Sequence, residues 1–321
     1  MPISKVNPSS INKAAALLAK GKLIGLPTET VYGLAGDAAN PEALALIFST
    51  KQRPEFDPLI LHAYDMDMAL TAVIDFPRGA QKMAEAFWPG PLTLILPKAP
   101  WVPDLATSGL KTVAIRVPKH RVARQVIKSF GGCLAAPSAN RFGRLSPTTA
   151  AAVFKELGSK VSLILDGGPC AQGIESTIIS YATNKPICLR LGALSLEEIE
   201  EKLGQKVTHL RKVNPRMAPG NIGSHYAPRT PLRIVNSPSE VTDPKKASWV
   251  SLKPVEGAGG FKHVRFLTRN GDLSKAASRF FQTLRELDEL NTSMIYAQPF
   301  PDTGLGRALN DRLTRAAQAA R

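Results

Sequence analysis

LIGLPTETVYGLAG, residues 23–36, opens on a compact apolar run, Leu23–Pro27, and passes directly into a polar turn. The run has the length and composition of a buried strand. The turn, Pro27–Gly36, brings two threonine hydroxyls, a carboxylate and glycines to the strand's end. A rigid scaffold commonly presents a site on such a loop; the same residues also suit an ordinary turn. Working outward, the pattern repeats. Residues 10–21 read as a short amphipathic helix, with Ser10 as its cap, Ile11, Ala15 and Leu18 as its stripe, and Gly21 past its end. A helix from Pro41 carries Leu44, Ile47 and Phe48. Leu59–Ala63, Leu92–Pro97, Thr112–Pro118 and Cys133–Pro137 read as strands, with helices over Arg78–Trp88 and Arg121–Lys128. Ser146-Pro147 reads as another helix start, because serine caps well and proline fits a first turn. LILDGG, STIISY and ICLRLG add strands, and Leu196–Leu203 closes the series as a helix. Alternating strands and helices predict an α/β fold.

The chain has 321 residues, long enough for two domains. The organisation expected is residues 1–208 as the first domain, 209–230 as a linker rich in Pro and Gly, and 231–321 as a small α/β domain. In the last, LRIVN, ASWVSL, VRFLT and MIYAQP alternate with helical stretches, notably Leu273–Leu290, and Pro254–Phe261 reads as a loop. No run of 18 apolar residues indicates a membrane span. The start of the chain lacks a signal-peptide core, and Cys133, Cys170 and Cys188 have no paired spacing, so a reducing, cytoplasmic setting is expected.

Charge narrows the partners. There are 41 Lys and Arg against 26 Asp and Glu, a net +15. Residues 101–150 hold eight basic residues against Asp104 alone, and residues 209–230 hold four basic and no acidic ones. Such an excess suits nucleic acid, phosphates or an acidic surface, and equally a solvated surface. The chain has no GxxxxGK[ST], HExxH or GxSxG, so any nucleotide is held without a standard phosphate loop. Four polar clusters remain: Pro27–Gly36; Lys51-Gln52-Arg53-Pro54, whose two cations suit a polyphosphate or simply a helix C-terminus; Pro137-Ser138-Ala139-Asn140; and Gly173–Thr177. His62 ends an apolar strand, as a core histidine would. Arg116 lies inside another strand, where an unpaired charge is costly. A ligand carboxylate or an internal Asp or Glu would pair with it.

PTETVYGLAG, KQRP followed by DPLILH, WPGPLTLIL, TVAIRVP, AAPSAN, DGG and IESTII occur in this order. Over residues 10–208 the chain thereby resembles the YrdC-like family of threonylcarbamoyl-AMP synthases. APGNIGSHYAP, residues 218–228, resembles the linker of its long, two-domain members. The resemblance implies a twisted mixed sheet with helices around a basic cavity, a linker that acts as a lid, and a small Rossmann-like C-terminal domain. It implies condensation of L-threonine, bicarbonate and ATP, with magnesium, to threonylcarbamoyl-AMP and pyrophosphate. A downstream threonylcarbamoyl transferase complex would then modify ANN-decoding tRNAs; weak contact with tRNA itself is left open. By motif match, threonine would meet Thr30, His62, Arg116, Ala136 and Ser176. ATP would meet Lys51, Arg53, Asp57, Thr112, Ser138, Asn140, Ser146, Arg190 and Tyr226, with Lys51, Arg53, Ser138 and Asn140 assisting the chemistry, and no metal is expected on direct protein ligands.

Two positions depart from the family pattern. Asp57 puts a carboxylate where relatives carry Asn or a basic residue, and Asn221-Ile222-Gly223 replaces bulkier linker residues. Two other readings stand beside the synthase. A carbamoyl-phosphate-using enzyme lacks its acylphosphatase-like and zinc-finger segments here. An RNA-binding protein would rest on the net charge, but 20 scattered aromatics make a poor stacking platform.

Overall fold

The computed structural model describes residues 2–183, 185–210 and 225–318. Most of the expected linker, Asn221-Ile222-Gly223 included, lies outside the described residues. The first domain strings together β1 (Ile3–Lys5), α1 (Pro8–Ala19), β2 (Ile24–Leu26), β3 (Gly33–Asp37), α2 (Pro41–Lys51), β4 (Ile60–His62), α3 (Met66–Thr71), α4 (Arg78–Phe87), β5 (Leu92–Pro97), α5 (Asp104–Thr107) and β6 (Thr112–Arg116). It continues with α6 (Arg121–Phe130), β7 (Leu134–Ala135), α7 (Ala150–Leu157), β8 (Leu163–Asp166), β9 (Thr177–Ser180), β10 (Ile187–Arg190), α8 (Leu196–Leu203) and β11 (Thr208–His209). Its strands form one mixed sheet in the order β1-β8-β2-β3-β7-β4-β6-β5-β9-β10-β11.

The pairings place the polar loops. Strands β2 and β3 are an antiparallel pair, Ile24 opposite Ala35, so Pro27–Tyr32 is the turn that joins them. Strands β4 and β6 run parallel with His62 opposite Arg116. Strand β7 lies antiparallel to β3 and β4 and delivers Ala136–Asn140 beside that turn. Helices α1 and α6 bury Ile11 and Leu18 against Val122, Val126 and Ile127 on one side of the sheet. Asn40 caps α2 by accepting from the backbone of Glu42 and Ala43, and Pro41 takes the first turn, where its missing N–H costs nothing.

Two cap assignments differ from expectation. Asn7, not Ser10, is the N-cap of α1; Ser10 sits three residues on, and its hydroxyl accepts from the Asn7 backbone N–H. Thr149, not Ser146, caps α7. Ser146 is fully buried, and its hydroxyl donates to Glu175.

The second domain comprises β12 (Leu232–Ile234), β13 (Ser248–Ser251), β14 (His263–Phe266), α9 (Leu273–Asp288), β15 (Ile295–Ala297) and α10 (Leu305–Gln318). Its four strands are all parallel, in the order β12-β15-β13-β14. The expected loop at Pro254–Phe261 contains a short 3₁₀ turn at Ala258–Gly260. Helix α9 buries Phe280, Phe281, Leu284 and Leu287 in the same apolar cluster that holds Leu34, Ile115 and Tyr226, so the two domains share a core. Charge fixes the seam: Arg285 pairs with Glu156 at 2.8 Å and donates to the Leu145 carbonyl. Gly173 meets α9 so closely that a Cβ there would stand 2.4 Å from the Ala277 carbonyl oxygen, and its φ of +73° suits glycine.

Candidate active site

The β4–β6 register puts His62 and Arg116 side by side on one face of the sheet. Both are buried and line a cavity with about 560 Å³ of atom-free space, part of it open to solvent. Arg116 donates through Nε to the Gly90 carbonyl and through Nη1 to Thr30 Oγ1, each at 2.9 Å, and through Nη2 to Glu29 Oε1. Its internal partner is therefore Glu29, and three of its five N–H groups are engaged. Burial pushes the Glu29 carboxyl up, but Arg116 and backbone hydrogen bonds outweigh it and hold the group below the usual carboxylate range. His62 is held down to about 3 by burial and by the charge of Arg116, so its ring is neutral. Ser176 stands just before β9, its hydroxyl 2.7 Å from Thr93 Oγ1. Thr30, Ala136 and Ser176 line the same cavity.

Arg53, Ser138, Arg190 and Tyr226 complete the lining. Arg53 donates through Nη2 to the Pro58 carbonyl and pairs with Asp57 at 2.8 Å. Asp57 is thus a buried counter-ion of Arg53 and is absent from the cavity wall, which answers the doubt raised by its charge. Arg190 donates to the carbonyl and hydroxyl of Ser176, tying the two halves of the cavity together. Burial lowers the pKa of both arginines.

Lys51 differs from expectation in placement. Its Nζ donates to the backbone carbonyls of Ser138 and Asn140 and does not line the cavity. Burial, then the neighbouring Arg53, lowers its pKa well below the usual lysine value. Asn140 also stays behind the wall, donating through Nδ2 to the carbonyls of Arg141 and Arg144. Thr112 lies at the outer end of β6, opposite Pro97, and Ser146 lies behind Glu175. Neither lines the cavity.

One wall comes from the end of the linker. His225 and Tyr226 are buried, their rings 4.2 Å apart between centroids, and Tyr226 packs on Phe281 at 5.4 Å. Burial and the arginine-rich surroundings keep His225 well below its ordinary pKa, and burial raises the Tyr226 phenol to about 12. Tyr226 thus reaches into the site, as a nucleotide-covering residue would.

The Sua5/YciO/YrdC family model, described as "Telomere recombination", matches residues 16–192. A second model, the threonylcarbamoyl-AMP synthase C-terminal domain, matches residues 194–318. The chain belongs to the Sua5/YciO/YrdC family. It is 37% identical to the threonylcarbamoyl-AMP synthase of Bacillus subtilis, over 97% of this chain and 94% of that one. It is 35% identical to the enzyme of that name from Pyrococcus abyssi, over 97% and 95%. The crystal structure of P. abyssi Sua5 complexed with L-threonine superposes with a TM-score of 0.91 at 34% identity, covering 100% of this chain and 98% of that one. The chain is therefore a long, two-domain family member with the twisted α/β fold.

Sequence reasoning left three residues without a role: Glu175 in the wall, and Glu29 and Arg312 behind it. Glu29 stood inside the first polar cluster, and a strand arginine in need of a partner was the signal for it. Glu175 stood inside the fourth cluster. Arg312 lies on α10, a helix not read from the sequence, and nothing local marked it.

Proposed function

We propose that this protein is an L-threonylcarbamoyladenylate synthase, a nucleotidyltransferase that condenses L-threonine, bicarbonate and ATP to threonylcarbamoyl-AMP and pyrophosphate. The observation that carries this is one cavity whose wall holds Arg116, Thr30, His62 and Ser176 together with Arg53, Ser138, Arg190 and Tyr226. The first set suits an amino acid and the second a nucleotide. Arg116 suits an amino-acid carboxylate, because two of its N–H groups remain beyond those engaged by the protein. The neutral His62 ring and the Ser176 hydroxyl suit a small polar side chain such as threonine's. Names of full-length relatives and the threonine-bound neighbour support the same reading.

The reaction asks for positioning more than for a protein nucleophile. Threonine's unprotonated amine takes up bicarbonate as a carbamate and water leaves. The carbamate oxygen then forms a bond to the α-phosphorus of ATP as the bond to pyrophosphate breaks. In-line geometry and charge stabilisation carry such a step. Arg53 and Arg190 supply fixed cations, and Ser138 supplies a neutral hydrogen bond. Lys51 supports the step through the loop it anchors. The buried Tyr226 ring excludes water from the hydrolysable product.

Magnesium is proposed to arrive with the nucleotide. The side-chain oxygens in the cavity wall are the hydroxyls of Thr28, Thr30, Ser138, Ser176 and Tyr226 and the carboxylate of Glu175. Such donors suit a hard cation that keeps its waters and takes phosphate oxygens as ligands. Ser138 is the residue that would meet it, through the ion's waters, and the ion would offset phosphate charge.

The product requires a threonylcarbamoyl transferase complex acting on tRNA downstream, in the cytoplasm. Among the described residues no helix is long and apolar enough to cross a membrane. The test of this reading is formation of threonylcarbamoyl-AMP by the purified protein, followed by mass, with each of the three substrates omitted in turn.

A further inference from the structure

Glu175 is a carboxylate in the wall of a cavity otherwise built for anions. Both of its oxygens are occupied. Oε1 accepts from the Ser146 hydroxyl at 2.6 Å, and Oε2 accepts from Arg312 Nε at 3.2 Å. Arg312 belongs to the second domain, on α10, and is completely buried. It also donates to the Leu191 carbonyl, lies 3.1 Å from Asp311, and its guanidinium carbon sits 5.5 Å from the centre of the Tyr226 ring. Among the described residues, Arg312 is the cation paired with Glu175.

We propose that Arg312 is a positioning residue of the nucleotide side of the site: it neutralises and orients Glu175 and steadies Tyr226, so that the second domain completes the cavity. This rests on the reading of the cavity as a site for ATP. The physics is direct. An uncompensated carboxylate beside Arg53 and Arg190 would repel a triphosphate and would draw those cations toward itself. Pairing with Arg312 from behind, while Ser146 donates to the other oxygen, turns Glu175 into a fixed acceptor with its charge offset. The second domain thereby acts on the chemistry without touching substrate, through one buried ion pair and one ring.

The test is titration of the full-length protein with a non-hydrolysable ATP analogue and magnesium, with thermal unfolding followed in parallel. Arg312→Met weakens analogue binding by about tenfold, as expected for neighbouring charged groups in one network. Adding Glu175→Gln removes the exposed charge and restores binding to within about threefold of the parent. A role confined to holding the fold together would move binding only in step with the unfolding temperature, and would leave affinity at the parent level at a temperature where the single mutant is fully folded. If Arg312→Met does not fold, Arg312→Gln and Arg312→Gln/Glu175→Gln carry the same comparison, since glutamine also removes the charge but keeps a donor for the Leu191 carbonyl. Equal affinity of single mutant and parent, or a double mutant as weak as the single, overturns the proposal. A parent that binds the analogue yet makes no threonylcarbamoyl-AMP contradicts the proposed reaction while leaving the Arg312 comparison intact. A parent that binds no nucleotide overturns both.

Discussion

The Nζ of Lys51, at the end of α2, is buried against the carbonyl of Ser138, 87 residues along the chain. The lysine is a strut beneath the Ser138–Asn140 loop, and Ser138 is what the loop offers to the cavity. Lys51→Met should leave two buried carbonyls without a donor, at about 1–3 kcal/mol each. Pyrophosphate release should fall by about a hundredfold or more, in the range of lost oxyanion-type positioning. Amide exchange at residues 138–142 should rise in the same variant. Exchange that stays at the parent level while activity falls would mean that Lys51 acts on the nucleotide directly.

Arg116 and Glu29 stabilise each other inside the protein, and their variants should show it. Arg116→Ala leaves a buried carboxylate alone and should cost about 3–5 kcal/mol of stability in chemical denaturation. Arg116→Ala/Glu29→Gln should regain part of that stability. Neither variant should bind threonine well, so calorimetry would read lost threonine affinity in both. Threonine affinity in the double mutant close to the parent's would contradict the role given to Arg116.

His62 gives the molecule a signed pH dependence. Its pKa is held down to about 3 by burial and by Arg116, against 6.5 for a free histidine. Between those values the unfolded chain binds a proton that the folded one refuses. Stability contributed by His62 is therefore intact above pH 6.5 and falls as pH drops toward 3, by at most about 1.4 kcal/mol per pH unit. His62→Gln should flatten the stability profile between about pH 6 and 4. An unchanged slope would show that the ring takes up a proton in the fold.

Gly173 tests the seam between domains. A Cβ at this position would meet the backbone of Ala277 and Ser278 on α9 at 2.4 Å, and backbone cannot yield as a flexible side chain can. Gly173→Ala should loosen the docking of the second domain. Limited proteolysis should cut between the domains faster, and activity should fall with it. A variant as resistant as the parent would show that the seam tolerates the shift.

Most strands and helices of the first domain were legible because their apolar runs are bounded by polar or turn residues; β3, at Gly33–Asp37, lay inside the stretch read as a turn, and the short α3 and α5 were not read. Leu196–Leu203 is a helix from end to end, set by the Ser195–Glu198 capping box before it and Gly204 after it. His62 and Arg116 were legible as candidates because each interrupts an apolar strand. What escaped was decided at a distance. Several hydroxyls in SPTT could cap α7; Thr149 does so because Ser146 is drawn to Glu175, 29 residues away. Strand β1 has three residues, too few for a pattern, and exists through parallel pairing with β8. The Arg312–Glu175 pair spans 137 residues, so no local window contains it. The basic excess was visible in composition, yet its meaning depended on burial. Lys51, Arg53, Arg116, Arg190 and Arg312 are all buried, and each is held by carbonyls or carboxylates around one cavity.

The central claim is the use of threonine and ATP in one condensation, and the most direct measurement is pyrophosphate release with the nucleotide product identified by mass. The account predicts release that requires L-threonine and bicarbonate together, is abolished by Arg53→Ala, and matches threonylcarbamoyl-AMP formed one to one. ATP consumption indifferent to threonine, dependence on carbamoyl phosphate instead of bicarbonate, or salt-sensitive tRNA binding with no turnover would contradict it.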